Sequence, residues 1–305
     1  NKYLVPNSLV ISRGCPHECD FCYKESFYRG GKSFYTQRVD EILTEIERLK
    51  GKHLYFLDDH LFGNPKLARE LFEGMKGMDR VFQGAVTVKS IIEGNLIEKA
   101  AEAGLRSIFV GFETFSDKNL FESNKNHNTK LDYEKAVKRL HNLGIMINGS
   151  FVFGLDNDDK DVFKRTVDWG IKNSLTTSTY HILTPYPGTK LYEKLENEGR
   201  IITKDWDIYD TRHAVFKPKL LTVDELENGY QWAYKEFYKW SNIFEASFVH
   251  ESLKHKIKHI IYTGGWKKFE AIWNMAINIG GLKGMLPVLE LLLSKVEYNK
   301  NEHIR

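Results

Sequence analysis

At 305 residues the chain can bury a sizeable core and exceeds the usual single compact domain, so one large domain with an appendage is expected. Hydrophobic content of 42% and charged content of 28% are ordinary for a globular chain, and a net charge of +3 gives no basis for a nucleic-acid or anionic-membrane partner. The only three cysteines lie between Cys15 and Cys22, which excludes a disulfide framework and points to a reducing compartment, the cytoplasm, with thiols kept for chemistry.

In chain order, residues 8–12 read as a strand and residues 39–50 as a helix, with Val39, Ile42, Leu43, Ile46 and Leu49 at helical spacing. The alternation then repeats. Strand-like runs fall at 53–57, 81–88, 107–112, 145–153 and 176–183. Helix-like runs fall at 65–76, 92–103, 131–142, 159–172 and 189–197. Pro65 at a helix start and Gly104, Gly144 and Gly199 just past helix ends are the expected punctuation. Six β/α units imply a parallel sheet with right-handed crossovers. Eight would close a full barrel, so the fold class expected is α/β, a partial (β/α)6 barrel over residues 1–200. Residues 201–305 read as a mainly helical C-terminal extension, with the aromatics from Tyr230 to Trp240 as core and a polar tail from Asn299.

No transmembrane segment is expected, because no apolar run reaches the ~18 residues of a membrane span. The nearest candidate, 282–293, is short and interrupted by Lys283, Gly284, Pro287 and Glu290. The chain starts at Asn1 rather than Met, and an upstream segment is therefore expected to have been removed.

Chemistry in a parallel sheet gathers at the carboxyl ends of strands. Directly after the first strand comes Cys15-Pro16-His17-Glu18-Cys19-Asp20-Phe21-Cys22. Spacings of three and two residues place three thiolates on one tight loop, able to grip three corners of a cubane and leave one iron open. Zinc held by the cysteines and His17 is the alternative, although structural zinc sites usually pair cysteines as C-x2-C arms from separate segments. Further strand ends carry Asp58, Asp59 and His60; Gly111 and Glu113; Gly154; and Thr184-Pro185-Tyr186-Pro187-Gly188-Thr189. The alternative is that Asp58 or Asp59 caps the next turn and that each glycine is a close-packing position. A buried acid such as Glu113 needs a polar partner.

The C-x3-C-x2-C loop with Phe21 before its last cysteine resembles the motif of the radical S-adenosylmethionine (SAM) superfamily. The resemblance implies that Cys15, Cys19 and Cys22 ligate a 4Fe–4S cluster whose open iron is chelated by SAM. Reductive cleavage of SAM then yields a 5′-deoxyadenosyl radical that functionalises an unactivated carbon. By the same resemblance, Phe21, Asp58, Asp59, Gly111, Glu113 and Gly154 help to hold SAM; Tyr23, Phe27 and Tyr28, just after the cysteine loop, are placed to flank that site. Arg13-Gly14-Cys15-Pro16-His17, the Asp pair, the Pro-Gly turn and the segment from Trp206 to Asp210 resemble the cobalamin-dependent branch with a helical extension, the group that includes hopanoid C-2 methylases. Gly265, Trp266, Trp273 and Pro287 fit that extension loosely. This implies methyl transfer with cobalamin to a small-molecule or lipid-like substrate, with an electron donor such as flavodoxin or ferredoxin. The cobalamin-binding domain that precedes this region in that branch is absent here. Cobalamin-independent rearrangement, cyclisation or transfer of a SAM fragment is the alternative chemistry, and a non-catalytic iron–sulfur or zinc protein the alternative class.

Two clusters are read as structural. His250, His255 and His259, set among Lys254, Lys256 and Lys258, read as a solvated basic face. The acidic run from Asp156 to Asp161 lacks the glycine and terminal Glu of a calcium loop and reads as a cap for the next helix.

Overall fold

The computed structural model describes residues 7–27, 34–129 and 131–268. The described residues hold eight strands, β1 (Ser8–Leu9), β2 (Ser12–Gly14), β3 (Phe34–Thr36), β4 (His53–Phe56), β5 (Val81–Thr87), β6 (Leu105–Glu113), β7 (Met146–Phe153) and β8 (Thr177–Ile182). Six of them form one parallel sheet in the order β1-β4-β5-β6-β7-β8, and β2 and β3 form a separate antiparallel ribbon. The six-unit parallel architecture expected from the sequence is thus present, and among the described residues β1 and β8 do not pair.

Period-two alternation explains the two faces of the sheet. On β5, Phe82, Gly84 and Val86 are buried while Gln83, Ala85 and Thr87 are half-exposed. The buried face meets the helices: Phe82 stacks at 5.8 Å on Phe72 of α3 (Pro65–Met75) and touches Phe56 edge-on at 5.4 Å. The other face lines an open lumen, with Tyr55, Gln83, Ala85, Ser107, Phe109 and Asn148 around one cavity.

The helices begin and end where local chemistry dictates. Asn64 caps α3 by accepting from the Leu67 amide, and Pro65 stands at its first turn, where a missing N–H costs nothing. The helix expected at 92–103 is instead two, α4 (Val88–Ile92) and α5 (Leu96–Ala103), because Gly94 at φ +62° turns the chain between them. Gly104 ends α5 at φ +113°, and a side chain there would meet the Arg80 carbonyl at 1.9 Å. The strand expected at 8–12 also divides. After Leu9 the amides of Ile11 and Ser12 turn to the Asp58 carboxylate, and the chain leaves the sheet for the ribbon.

The C-terminal segment joins the barrel. A capping box of Thr222 and Glu225 starts α10 (Val223–Phe237), whose Leu226, Ala233 and Phe237 belong to the same core as the strands. β8 is an edge strand, with backbone groups that need partners. The Tyr238 hydroxyl accepts from the Ser178 amide and donates to the Ser178 carbonyl, and Tyr234 does the same at Tyr180. Four residues of helix rise about 6 Å and two residues of strand about 6.6 Å, so one tyrosine per helical turn matches every second strand residue. The aromatics expected as core therefore also cover the sheet edge.

Tyr28, Trp273, Pro287, the 282–293 stretch and the tail from Asn299 lie outside the described residues.

Candidate active site

The cysteine loop sits between the end of β2 and α1 (Lys24–Phe27), at the carboxyl side of the parallel sheet. Gly14, at φ +84°, makes the turn into it. Cys15 and Cys19 are buried, Cys22 is half-buried, and all three are free thiols. The loop is held from both sides. The Asp20 amide donates to the Ser123 carbonyl at 3.1 Å, beyond α6 (Asp117–Glu122), and the Asp20 carbonyl accepts from the Leu191 amide at 3.1 Å in α9 (Lys190–Asn197). Asn124 donates from Nδ2 to the Glu18 carbonyl at 2.6 Å, and the Cys22 amide closes a turn on the Cys19 carbonyl at 3.0 Å.

Burial pushes the Cys19 thiol up to about 12 and the Cys22 thiol upward as well, so metal binding there must displace protons. Among the described residues no three His, Cys, Asp or Glu side chains are grouped so as to hold a single metal ion. A cubane asks for a different arrangement, in which each sulfur binds its own iron. Three free thiols on one braced loop, with two buried lysines beside them, fit an anionic cluster of that kind. Lys24 is 8% exposed and lies beside Cys15 and Cys22; Lys125 is 6% exposed and is the strongest charge acting on Cys19.

Glu113 ends β6 at φ +65° and pairs with Lys125, which also stands 6.0 Å above the Phe21 ring. The polar partner that the acid required is thus supplied by the chain. Gly111 makes the pairing possible: a side chain there would lie 2.5 Å from Glu113 Oε1 and 3.1 Å from Lys125 Nζ. Asp58 is buried and accepts from the Ile11 amide at 3.2 Å and from both the amide and hydroxyl of Ser12. Its oxygens tie the start of β2 to the segment after β4. Asp59 is exposed and lies near Tyr23 and Lys24. Gly154, at φ +97°, turns the chain after β7, and the space of its missing side chain is filled by Leu226 and Phe216. The glycine thereby admits Leu226 of α10. Tyr23 and Phe27 are exposed, and Tyr23 meets Tyr186 of the Pro-Gly turn edge-on at 6.5 Å.

A column of three imidazoles walls the loop. His17 stacks on His127 at 3.7 Å and lies 5.6 Å from His60. Burial first, then neighbouring lysines and histidines, push His17 down to about 4 and the other two to about 3. Sequence reading missed Lys24, Lys125 and His127. Lys24 alone carried a local signal, standing two residues beyond the last cysteine.

Two readings made from sequence are corrected. His259 is not on a solvated face. It is 3% exposed and packs with His141, His250 and Ser174 beneath the sheet, because the helical face through His259 and Thr263 points inward. The acidic run does not cap the following α8 (Val162–Lys172), since Asp161 makes no side-chain cap. Asp158 instead accepts from the amides of Gly154 and Leu155 and from Asn119, and Asp156 pairs with Lys194, Arg200 and Lys219.

Comparison with known proteins follows the same lines. Residues 9–170 match the radical SAM superfamily, and residues 189–285 match a domain of unknown function, DUF4070. Bacteriochlorophyllide d C-12(1)-methyltransferase of Chlorobaculum tepidum is 33% identical over 80% of this chain and 54% of its own length. Hopanoid C-2 methylase of Rhodopseudomonas palustris is 27% identical over 67% of this chain and 40% of its own length. The chain thus spans about half the length of these relatives. The cobalamin-dependent SAM radical enzyme OxsB, solved with aqua-cobalamin and SAM, shares the fold at TM-score 0.57 and 16% identity, over 95% of this chain and 50% of that one. Among the described residues no helix is long and apolar enough to cross a membrane. The superfamily match covers more than half of the chain and includes the whole cysteine loop and the parallel strands β4 to β7: the chain belongs to the radical SAM superfamily.

Proposed function

We propose that this chain carries the catalytic barrel of a radical SAM methylase acting on an unactivated carbon of an apolar small molecule, with cobalamin as methyl carrier. The observation that carries the reading is the three-thiol loop, clamped by α6 and α9 at the carboxyl side of the sheet beside two buried lysines. Cys15, Cys19 and Cys22 would hold a 4Fe–4S cluster, which supplies the single electron that cleaves the sulfonium of SAM. Phe21, Asp59, Gly111 and Glu113 would line the SAM site, and Asp58 and Gly154 would brace it from behind. Methylation and an apolar substrate are supported by the relatives, a bacteriochlorophyllide methyltransferase and a hopanoid methylase. The open lumen, with Leu57 and Phe109 exposed in it, offers such a molecule room. Three unpaired thiols suit the cytoplasm, where a flavodoxin or ferredoxin would supply the electron.

The test is anaerobic. The protein is reconstituted with iron and sulfide, reduced, and given SAM, with Cys22→Ala alongside. Formation of 5′-deoxyadenosine by wild type only is expected. A wild-type protein that holds a full 4Fe–4S cluster and yields none overturns the proposal.

A further inference from the structure

The two buried lysines beside the cysteine loop are not equivalent. Lys125 reaches the loop from beyond α6, and its charge is met by Glu113 within the chain. Lys24, at the first position of α1, is buried beside the sulfurs of Cys15 and Cys22, with Asp59 also near it. Burying an ammonium costs several kcal/mol unless an anion meets it. For Lys24 that anion is the cysteine loop itself once it is loaded. Three thiolates against a 4Fe–4S core of charge 2+ leave one net negative charge, and a one-electron reduction makes it two. A cation beside the ligand sulfurs therefore stabilises the reduced form more than the oxidised one.

We propose that Lys24 is the counter-ion of the cluster and sets how readily it accepts its electron. The inference rests on the cluster assignment above and names a residue that tunes it. The electron comes from an external low-potential one-electron donor, the core passes from 2+ to 1+, and no proton or bond changes hands. Glu113 opposes the field of Lys125, whereas Lys24 has no such ion pair among the described residues, so the two lysines contribute unequally.

The experiment is a reductive titration of the reconstituted full chain without SAM, followed by visible absorbance and by the EPR signal of the reduced cluster. In Lys24→Met the ratio of reduced to oxidised cluster at a fixed potential is expected to fall about tenfold, which is 59 mV for a one-electron couple. Lys24→Arg should restore the wild-type potential. Asp59→Asn, which removes a negative charge near Lys24, should shift it the other way. The double variant Lys125→Met/Glu113→Gln, which removes a charge of each sign, should move it less than Lys24→Met. An unchanged potential in Lys24→Met at full iron content overturns the inference and leaves the cluster assignment standing. If Lys24→Met fails to take up a cluster, Lys24→Gln and Asp59→Asn decide, and no shift in either overturns it. A wild-type chain that binds no 4Fe–4S cluster overturns both readings.

Discussion

The Glu113–Lys125 pair gives the most direct test of how the site is built. Both side chains are nearly out of water, at 13% and 7% exposure. Two unit charges about 3 Å apart attract by about 5.5 kcal/mol gross at an effective dielectric near 20. Desolvation of the two ions takes back several kcal/mol, so the net worth of the intact pair is small. Removing one partner is another matter, because the remaining charge stays buried without an anion or cation to meet it. Such a break typically costs 3–5 kcal/mol. Glu113 keeps a little access to water, which places the cost near the lower end, at about 3 kcal/mol. Lys125→Met and Glu113→Gln should each lose about that much in urea unfolding of the cluster-free protein. The double variant should lose at least about 2 kcal/mol less than the sum, because neither charge is then stranded. Gly111→Ala should imitate the single variants, since its methyl would lie 2.5 Å from Glu113 Oε1 and force the pair apart. Additive losses in the double variant, within about 0.5 kcal/mol, would show the pair to be solvent-screened and would refute the reasoning.

Three other outcomes follow from the same geometry. Asp58→Ala strands the amides of Ile11 and Ser12 and the Ser12 hydroxyl, and should cost about 3 kcal/mol in urea unfolding and speed amide exchange at Ile11 and Ser12. His141 and His259 are pushed down to about 4 by burial, then by neighbouring histidines. Because the unfolded chain takes up protons first, near 6.5, stability should fall as pH drops from about 6.5 to about 4, and His259→Leu should flatten that slope in denaturation midpoints measured at pH 7.5 and 5. Tyr238→Phe leaves the Ser178 amide and carbonyl at the sheet edge without their partner and should cost about 1–3 kcal/mol, with faster exchange at Ser178 and no change in iron content.

The sheet was legible because its signal is local. Apolar runs of strand length separated by amphipathic stretches with Pro65, Gly104 and Gly144 at their ends identify each unit without knowledge of any other. The cysteine loop was legible for the same reason, its spacing being contained in eight residues. What the sequence left hidden is distant pairing. Lys125 lies twelve residues beyond Glu113, and Leu226, which fills the space beside Gly154, lies on another element altogether. Nor does residue type discriminate: an acid at a strand end looks alike whether it awaits a ligand or, like Asp58, ties one strand to the next. His259 misled for a related reason, since its lysine neighbours in sequence lie off the inward face of its helix.

One physical condition separates the strand-end groups that brace the fold from those left for chemistry, namely whether the chain itself satisfies them. Asp58 has three donors, Asp156 three cations and Asp158 three donors, and each of these strand-end acids is spent on structure. The three thiols are brought together by a loop whose backbone is braced at Glu18, Asp20 and Cys22, yet they end free and largely buried, with an ammonium beside them that the sulfurs must answer. Holding a lysine out of water beside those thiols has no structural return unless something anionic and sulfur-bound completes the site. That imbalance, more than the spacing of the cysteines, argues that the loop is built around a cluster, and it is why the charge at Lys24 is the place to measure.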